Sequence, residues 1–263
     1  MPHLTPDRAR RAITEHTRRL AEAASAAGPR TPVPTTPAWT VADLVTHVGG
    51  TQHWTAEIME RRVTDFADLP AQSPQAPADP GAWAGWFEES AQRVVTAFAD
   101  DALAAPVLNA AGDDREGSLF WLLNVLNEAV VHGADGALAA DRAPEVAADV
   151  AAALVDHHLA MLVSLTWAMA RPESASALQG TGQTLQWRAD DTGDAWQVER
   201  RPAGAVWRAG AGAGPADATV TGPAGPLLLA LTRRLPVADA GLQVDGDAAL
   251  VRHWLDHTAH VAD

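Results

Sequence analysis

The sequence contains no cysteine and no tyrosine, and all 19 of its basic residues are arginine. Without cysteine there can be no disulfide framework, thiolate metal site or cysteine nucleophile, so any thiol chemistry must draw on a thiol from outside the chain. The absence of lysine rules out a Schiff base on a lysine side chain, and the absence of tyrosine rules out a phenol as acid or base. Arginine-only usage beside abundant alanine reads as the coding bias of a GC-rich genome, and it carries no mechanism. Positive charge is also scarce: the formal net charge is −14, which argues against nucleic acid or an anionic membrane surface as a partner. Long apolar runs are missing, since LLNVLNEAVV and LAMLVSLTWAMA fall short of the roughly 20 apolar residues of a membrane span. The opening MPHLTPDRARRAITEHTRRL reads as an amphipathic helix and not as a signal peptide. Together these absences predict a cytoplasmic protein, a monomer or small homo-oligomer whose partners are small molecules.

What is present suits a packed protein. The 263 residues are 47% hydrophobic and 20% charged, and ten tryptophans supply most of the large aromatic surface. From Thr5 to about Ala27, Ala9, Ala12, Ile13, Leu20 and Ala23 recur at helical spacing behind a Thr-Pro start. Four prolines within residues 28 to 40 then impose an extended connector. Thr40 and Asp43 form a capping box that opens a second helix, with Val41, Leu44, Val45 and Val48 on one stripe and His47 on or beside it. A second Pro-rich connector, LPAQSPQAPADPGAW, precedes a third helix from Trp83. The fourth is SLFWLLNVLNEAVVHGADGALAA, with Gly133 and Gly136 expected to weaken its last turns. A single fifth helix is expected over APEVAADVAAALVDHHLAMLVSLTWAMA.

Composition changes near Arg171. TLQWRAD, DAWQVERR, AVWRAG and DATVTG are short runs separated by Gly, Asp and Pro turns, and they predict a small antiparallel sheet. PAGPLLLALTRRL follows as a helix entered through proline, then a short strand and a closing helix in GLQVDGDAALVRHWLDHTAHV. The fold class expected is α then α+β, with a helical domain at 1–172 and an α+β domain at 173–263.

NEAVVHGAD, residues 127 to 135, carries Glu128 and His132 four residues apart, so both project from one face of a helix. Two imidazoles and a carboxylate suit a zinc-type ion, and His47 on the second helix is the natural third ligand. Three protein ligands leave positions open, as catalytic sites do. Asp135 is a candidate to orient a ligand. Such a pair also arises by chance on a solvated helix face, or as a core histidine with its own partner. His157 and His158 are adjacent, so they point apart and one of them is expected to be exposed, while His53, His253, His257 and His260 lack a convincing partner spacing.

VPTTPAWTVADLVTHVGGTQHW, residues 33 to 54, resembles a signature of the mycothiol-dependent maleylpyruvate isomerase family, in which a Pro-rich start and a Trp precede a helix bearing the first metal ligand. NEAVVHGAD resembles that family's second signature. The tail from Thr219 to Leu255 is similar to its C-terminal domain, with Gly-Pro before a Leu-rich helix and Arg at that helix's end. The resemblance implies a DinB-like four-helix bundle with an extra helix, followed by a small sterol-carrier-like α/β domain. It implies zinc, or another divalent metal, on His47, Glu128 and His132, with mycothiol as co-substrate. Arg234 matches a basic residue expected to serve catalysis and to bind the cofactor or substrate. The implied function is isomerisation or S-transfer on a small electrophile. The rival reading is a non-catalytic module, braced by metal, that binds a hydrophobic small molecule. Family members often have Arg directly after the second histidine, where this chain has Gly133. An Arg there would lie roughly 100° around the helix and is expected to reach the metal rim. Its absence therefore points to a larger, less acidic electrophile.

Overall fold

The structure is a computed structural model that describes residues 4–210 and 215–258. By packing, the chain divides into two compact units that meet in sequence at Glu145 and Val146. That division lies upstream of the 172/173 boundary drawn from composition, because the helix after Glu145 packs within the C-terminal unit.

In the N-terminal unit, α1 (Pro6–Ala27) starts on a Thr5 cap whose side chain accepts from the Arg8 N–H. The proline-rich connector folds into a hairpin of β1 (Pro32–Val33) and β2 (Thr36–Thr40), paired antiparallel around Pro34 and Thr35. β2 runs directly into α2 (Val41–Arg61), where the predicted capping box forms in both directions between Thr40 and Asp43. After α3 (Trp83–Ala97) and the short α4 (Asp100–Leu103) comes α5 (Gly117–Ala139). The long helices make a four-helix bundle in which α1 and α2 each pack against both α3 and α5. Its core includes the predicted α2 stripe of Val41, Leu44, Val45 and Val48, closed by Leu20, Trp83 and Phe87. α5 runs unbroken through Gly133 and Gly136 to Ala139. Gly136 serves close packing, since a Cβ there would sit 2.4 Å from Leu20 Cδ1 of α1.

The C-terminal unit begins with α6 (Ala148–Leu162), followed by α7 (Leu165–Ala170) and α8 (Pro172–Ala177). The single fifth helix expected from alanine and leucine content is thus broken at Val163 and Ser164. The cause is local: Ser164 takes extended geometry and its hydroxyl caps the next helix, accepting the Trp167 N–H at 3.1 Å. Next come β3 (Thr184–Ala189), β4 (Ala195–Arg201), β5 (Gly204–Ala209), β6 (Ala218–Gly222), α9 (Ala224–Leu231), β7 (Gln243–Gly246) and α10 (Ala248–His257). The five strands order as β5-β4-β3-β6-β7. All four runs form strands, but the sheet is mixed rather than antiparallel: β6 returns to lie parallel to β3 while the other neighbours are antiparallel. α9 packs on β3 and β6, and α6 packs on α9. Trp187, Trp196 and Trp254 fill this core, with the Trp196 indole N–H donating to Asp156 at 2.6 Å. Helices followed by an α+β unit is the fold class the sequence predicts. Among the described residues, no helix is long and apolar enough to cross a membrane.

Candidate metal centre

α2 and α5 are neighbours in the bundle, and the capping box that starts α2 at Val41 sets which of its residues turn toward α5. His47 comes nearly two turns in, and its Nε2 lies 2.8 Å from Glu128 Oε2 on α5. One turn further along α5, His132 Nε2 lies 3.4 Å from the same carboxylate oxygen. One potential ligand atom from each of the three residues falls within 4.8 Å of the others, and the His47 and His132 rings meet edge to face at 4.7 Å. The three positions chosen from spacing therefore converge on one point. Two imidazole nitrogens and a carboxylate oxygen are a donor set that fits a zinc-type ion. The cluster is only partly open, with the His132 side chain 11% and the His47 side chain 35% exposed.

Asp135 is fully buried one turn beyond His132, and its Oδ2 lies 2.7 Å from His132 Nδ1. The other oxygen, Oδ1, accepts a hydrogen bond from the Thr35 hydroxyl at the β1–β2 turn. Trp39, on β2, stacks against His132 with ring centroids 5.7 Å apart, and its ring lies 4.9 Å from that of His47. Burial by itself would push the His132 imidazolium down, but hydrogen bonds to Asp135 and Glu128 outweigh it and raise its pKa to about 9. Burial likewise opposes ionisation of Glu128, yet His132 and His47 hold its carboxyl well below the usual carboxylate range.

Arg234 follows α9 in the C-terminal unit and is buried, its guanidinium donating to the Thr232 carbonyl at 2.7 Å. Gly133 does not turn toward the metal residues. A Cβ there would face α1, 3.6 Å from His16 Nδ1, because one residue along a helix moves the side chain about a quarter turn. A side chain at 133 therefore leaves α5 about a quarter turn from His132, on the α1 side, as helical spacing predicts. His157 and His158 are both buried on α6, whereas the sequence suggested one exposed. His253 and His257 lie together on α10, and His253 is bonded to the Ala177 carbonyl; His260 lies outside the described residues. Thr35 and the stacking role of Trp39 escaped the sequence reading. The only signal for them was a threonine and a tryptophan in the proline-rich stretch just before the His47 helix.

A helical bundle with a two-histidine, one-glutamate cluster across two neighbouring helices is the class these observations define. Residues 10–137 match the profile of the Mycothiol maleylpyruvate isomerase N-terminal domain family, and the helical N-terminal domain of this chain belongs to that family. Among solved structures, the mycothiol-dependent maleylpyruvate isomerase is similar over 93% of this chain and 95% of its own, with a TM-score of 0.56 at 16% identity. A mutant of that enzyme aligns over the same spans with a TM-score of 0.52. At this identity the likeness establishes the fold. A stereoselective inverting sec-alkylsulfatase from Pseudomonas sp. aligns over 85% of this chain and 46% of its own at 13% identity, but its TM-score of 0.34 carries no argument. No curated protein matches the chain.

Proposed function

We propose that the protein is a zinc-dependent enzyme that uses mycothiol, or a similar low-molecular-weight thiol, as nucleophile toward a small electrophile, acting as an isomerase or an S-transferase. The convergence of His47, Glu128 and His132 on one point carries this reading, and the family of the N-terminal domain supports it. A divalent ion held by these three residues would supply Lewis acidity that lowers the pKa of a thiol.

The chain's own residues have separable tasks. Asp135 takes the Nδ1 hydrogen of His132, which leaves Nε2 directed at Glu128 and His47. Glu128 stays ionised at neutral pH, so it offers a full negative charge to a cation. His132 must give up its proton for a metal to bind, which makes binding pH-dependent. Trp39 packs its ring against both imidazoles, stacked on His132 and tilted against His47. With no cysteine in the chain, the sulfur must come from the co-substrate.

In the isomerase form, the external thiolate adds to a cis double bond conjugated to a carbonyl. Rotation about the resulting single bond and expulsion of the same thiolate give the trans product. In the transferase form the adduct is protonated at carbon and released. Arg234 takes its role from the family resemblance, holding a carboxylate of substrate or thiol by paired hydrogen bonds. The test is metal analysis of the purified full-length protein, followed by assay of maleylpyruvate with mycothiol and zinc. One metal per chain with thiol-dependent turnover supports the reading. A bound metal whose coordination spectrum ignores added thiol would favour the metal-braced binding module instead.

A further inference from the structure

The β1–β2 hairpin touches the metal-type cluster twice, although it contributes no ligand. Trp39 on β2 stacks on the His132 ring. Thr35, in the two-residue turn between the strands, donates its hydroxyl to Asp135 Oδ1, across 100 positions of sequence. Asp135 is 0% exposed, and its second oxygen is the partner of His132 Nδ1. A carboxylate buried to this degree keeps its charge only where hydrogen bonds compensate the lost water. Partners on both oxygens hold the plane in which it meets the imidazole.

We propose that Thr35 is a positioning residue for the metal centre, acting through Asp135 to hold the His132 imidazole with Nε2 directed at Glu128 and His47. This rests on the metal-centre reading above. Hairpin geometry explains why a turn residue can do this. β2 continues without a gap into α2, which carries His47, so the turn is tied at one end to that ligand's helix and through Asp135 to the helix of the other two. Trp39 restrains the face of the same ring that Asp135 restrains by its edge. Partners of metal ligands set the orientation and basicity of the ligating nitrogen, and their loss costs roughly ten- to a hundredfold in metal affinity.

The experiment uses the full-length protein and Co²⁺ as a spectroscopic probe, comparing wild type, Thr35→Val, Thr35→Ala and Thr35→Ser. Wild type should bind one Co²⁺ with visible bands of low-symmetry coordination. Thr35→Val should bind at least about tenfold more weakly with altered bands, and Thr35→Ser should restore both affinity and spectrum because it keeps the hydroxyl. Thr35→Ala provides the same deletion without the valine methyls should the valine variant not fold, and melting of the metal-free proteins separates loss of fold from loss of metal. Wild-type affinity and an unchanged spectrum in a folded Val or Ala variant would overturn the role of Thr35. Absence of Co²⁺ and Zn²⁺ binding in the wild type would overturn the metal-centre reading itself, which is a separate result.

Discussion

His132 and Asp135 stand one helical turn apart on α5, with Nδ1 and Oδ2 at 2.7 Å, and the carboxylate is the more deeply buried of the two. The pair divides the imidazole into two working ends. Nδ1 is committed to the protein, and Nε2 is left facing Glu128 and His47. A histidine committed in this way is the usual form of a metal ligand with a carboxylate partner.

One divalent metal per chain is the expected stoichiometry, and His132→Ala should lose it. Removing His132 leaves one imidazole and one carboxylate on the site and also takes from Asp135 the partner of its Oδ2. Leaving one oxygen of a buried carboxylate without its hydrogen bond costs about 1 to 3 kcal/mol, so the variant should melt earlier even when metal-free. Elemental analysis and melting in chelator check the two effects separately. Stoichiometric metal in the variant would move the site away from His132.

Stability should fall between about pH 6.5 and pH 4 because of His16. Its ring is buried on α1, and burial, assisted by the positive charge of Arg19, lowers its pKa to about 4. In the unfolded chain the imidazole titrates near 6.5. Between these values the unfolded state binds more protons, so this contribution is complete above about 6.5 and is lost as pH falls toward 4. The gap is worth roughly 3 kcal/mol at most. Urea unfolding of wild type and His16→Gln across this range, in chelator, should show a clearly flatter profile for the variant. Parallel profiles would assign the acid sensitivity to other groups.

How far the sequence could show this molecule depends on the range of each signal. The Thr40–Asp43 box, the α2 stripe and the Glu128–His132 spacing are local, and each forms as predicted because a helix turns residues three and four apart onto one face. The pairing of His47 with Glu128 was legible because two neighbouring helices can share a single point. Contacts without periodicity were not legible. Thr35 reaches Asp135 through the fold of a hairpin that proline content announced only as extended chain. The parallel pairing of β6 with β3 skips two strands, and no alternation pattern reports which neighbour a strand chooses. The break before Ser164 shows a cap overriding the helix propensity of the residues around it.

Gly117→Ala should destabilise the protein more than an ordinary surface change. Gly117 opens α5, and a Cβ there would lie 1.9 Å from the Val107 carbonyl oxygen. The obstacle is backbone, which cannot rotate aside as a side chain can, so the start of α5 must shift. Overpacking of this kind costs about 1 to 3 kcal/mol, and the shift would propagate toward Glu128 and His132 on the same helix. Urea midpoints and Co²⁺ affinity should therefore both fall. A variant within about 0.5 kcal/mol of wild type, the usual range for surface changes, would mean that residues near 107 do not hold the helix start.

Gly133→Arg tests how far a side chain on the residue after His132 reaches. In the structure a Cβ at 133 meets His16 at 3.6 Å, an ordinary contact, so the substitution is sterically admissible at its root. The added side chain would extend beside a small pocket of about 140 Å³ whose lining includes His16, Arg19, Arg142, Glu22 and Glu145. Replacing glycine within a helix recovers up to about 1 kcal/mol of propensity. A third arginine near Arg19 and Arg142 takes back a few tenths through like-charge repulsion, less wherever Glu22 or Glu145 compensates. Net stability should therefore stay within about 1 kcal/mol of wild type. Metal affinity and thiol-dependent kinetics should remain those of the parent, because the guanidinium stands on the α1 side of α5 while the metal residues face α2. A tenfold or greater gain in affinity for a dianionic substrate, about 1.4 kcal/mol, would show instead that an arginine at 133 reaches around the helix to the site, and would support the argument that its absence shapes substrate choice.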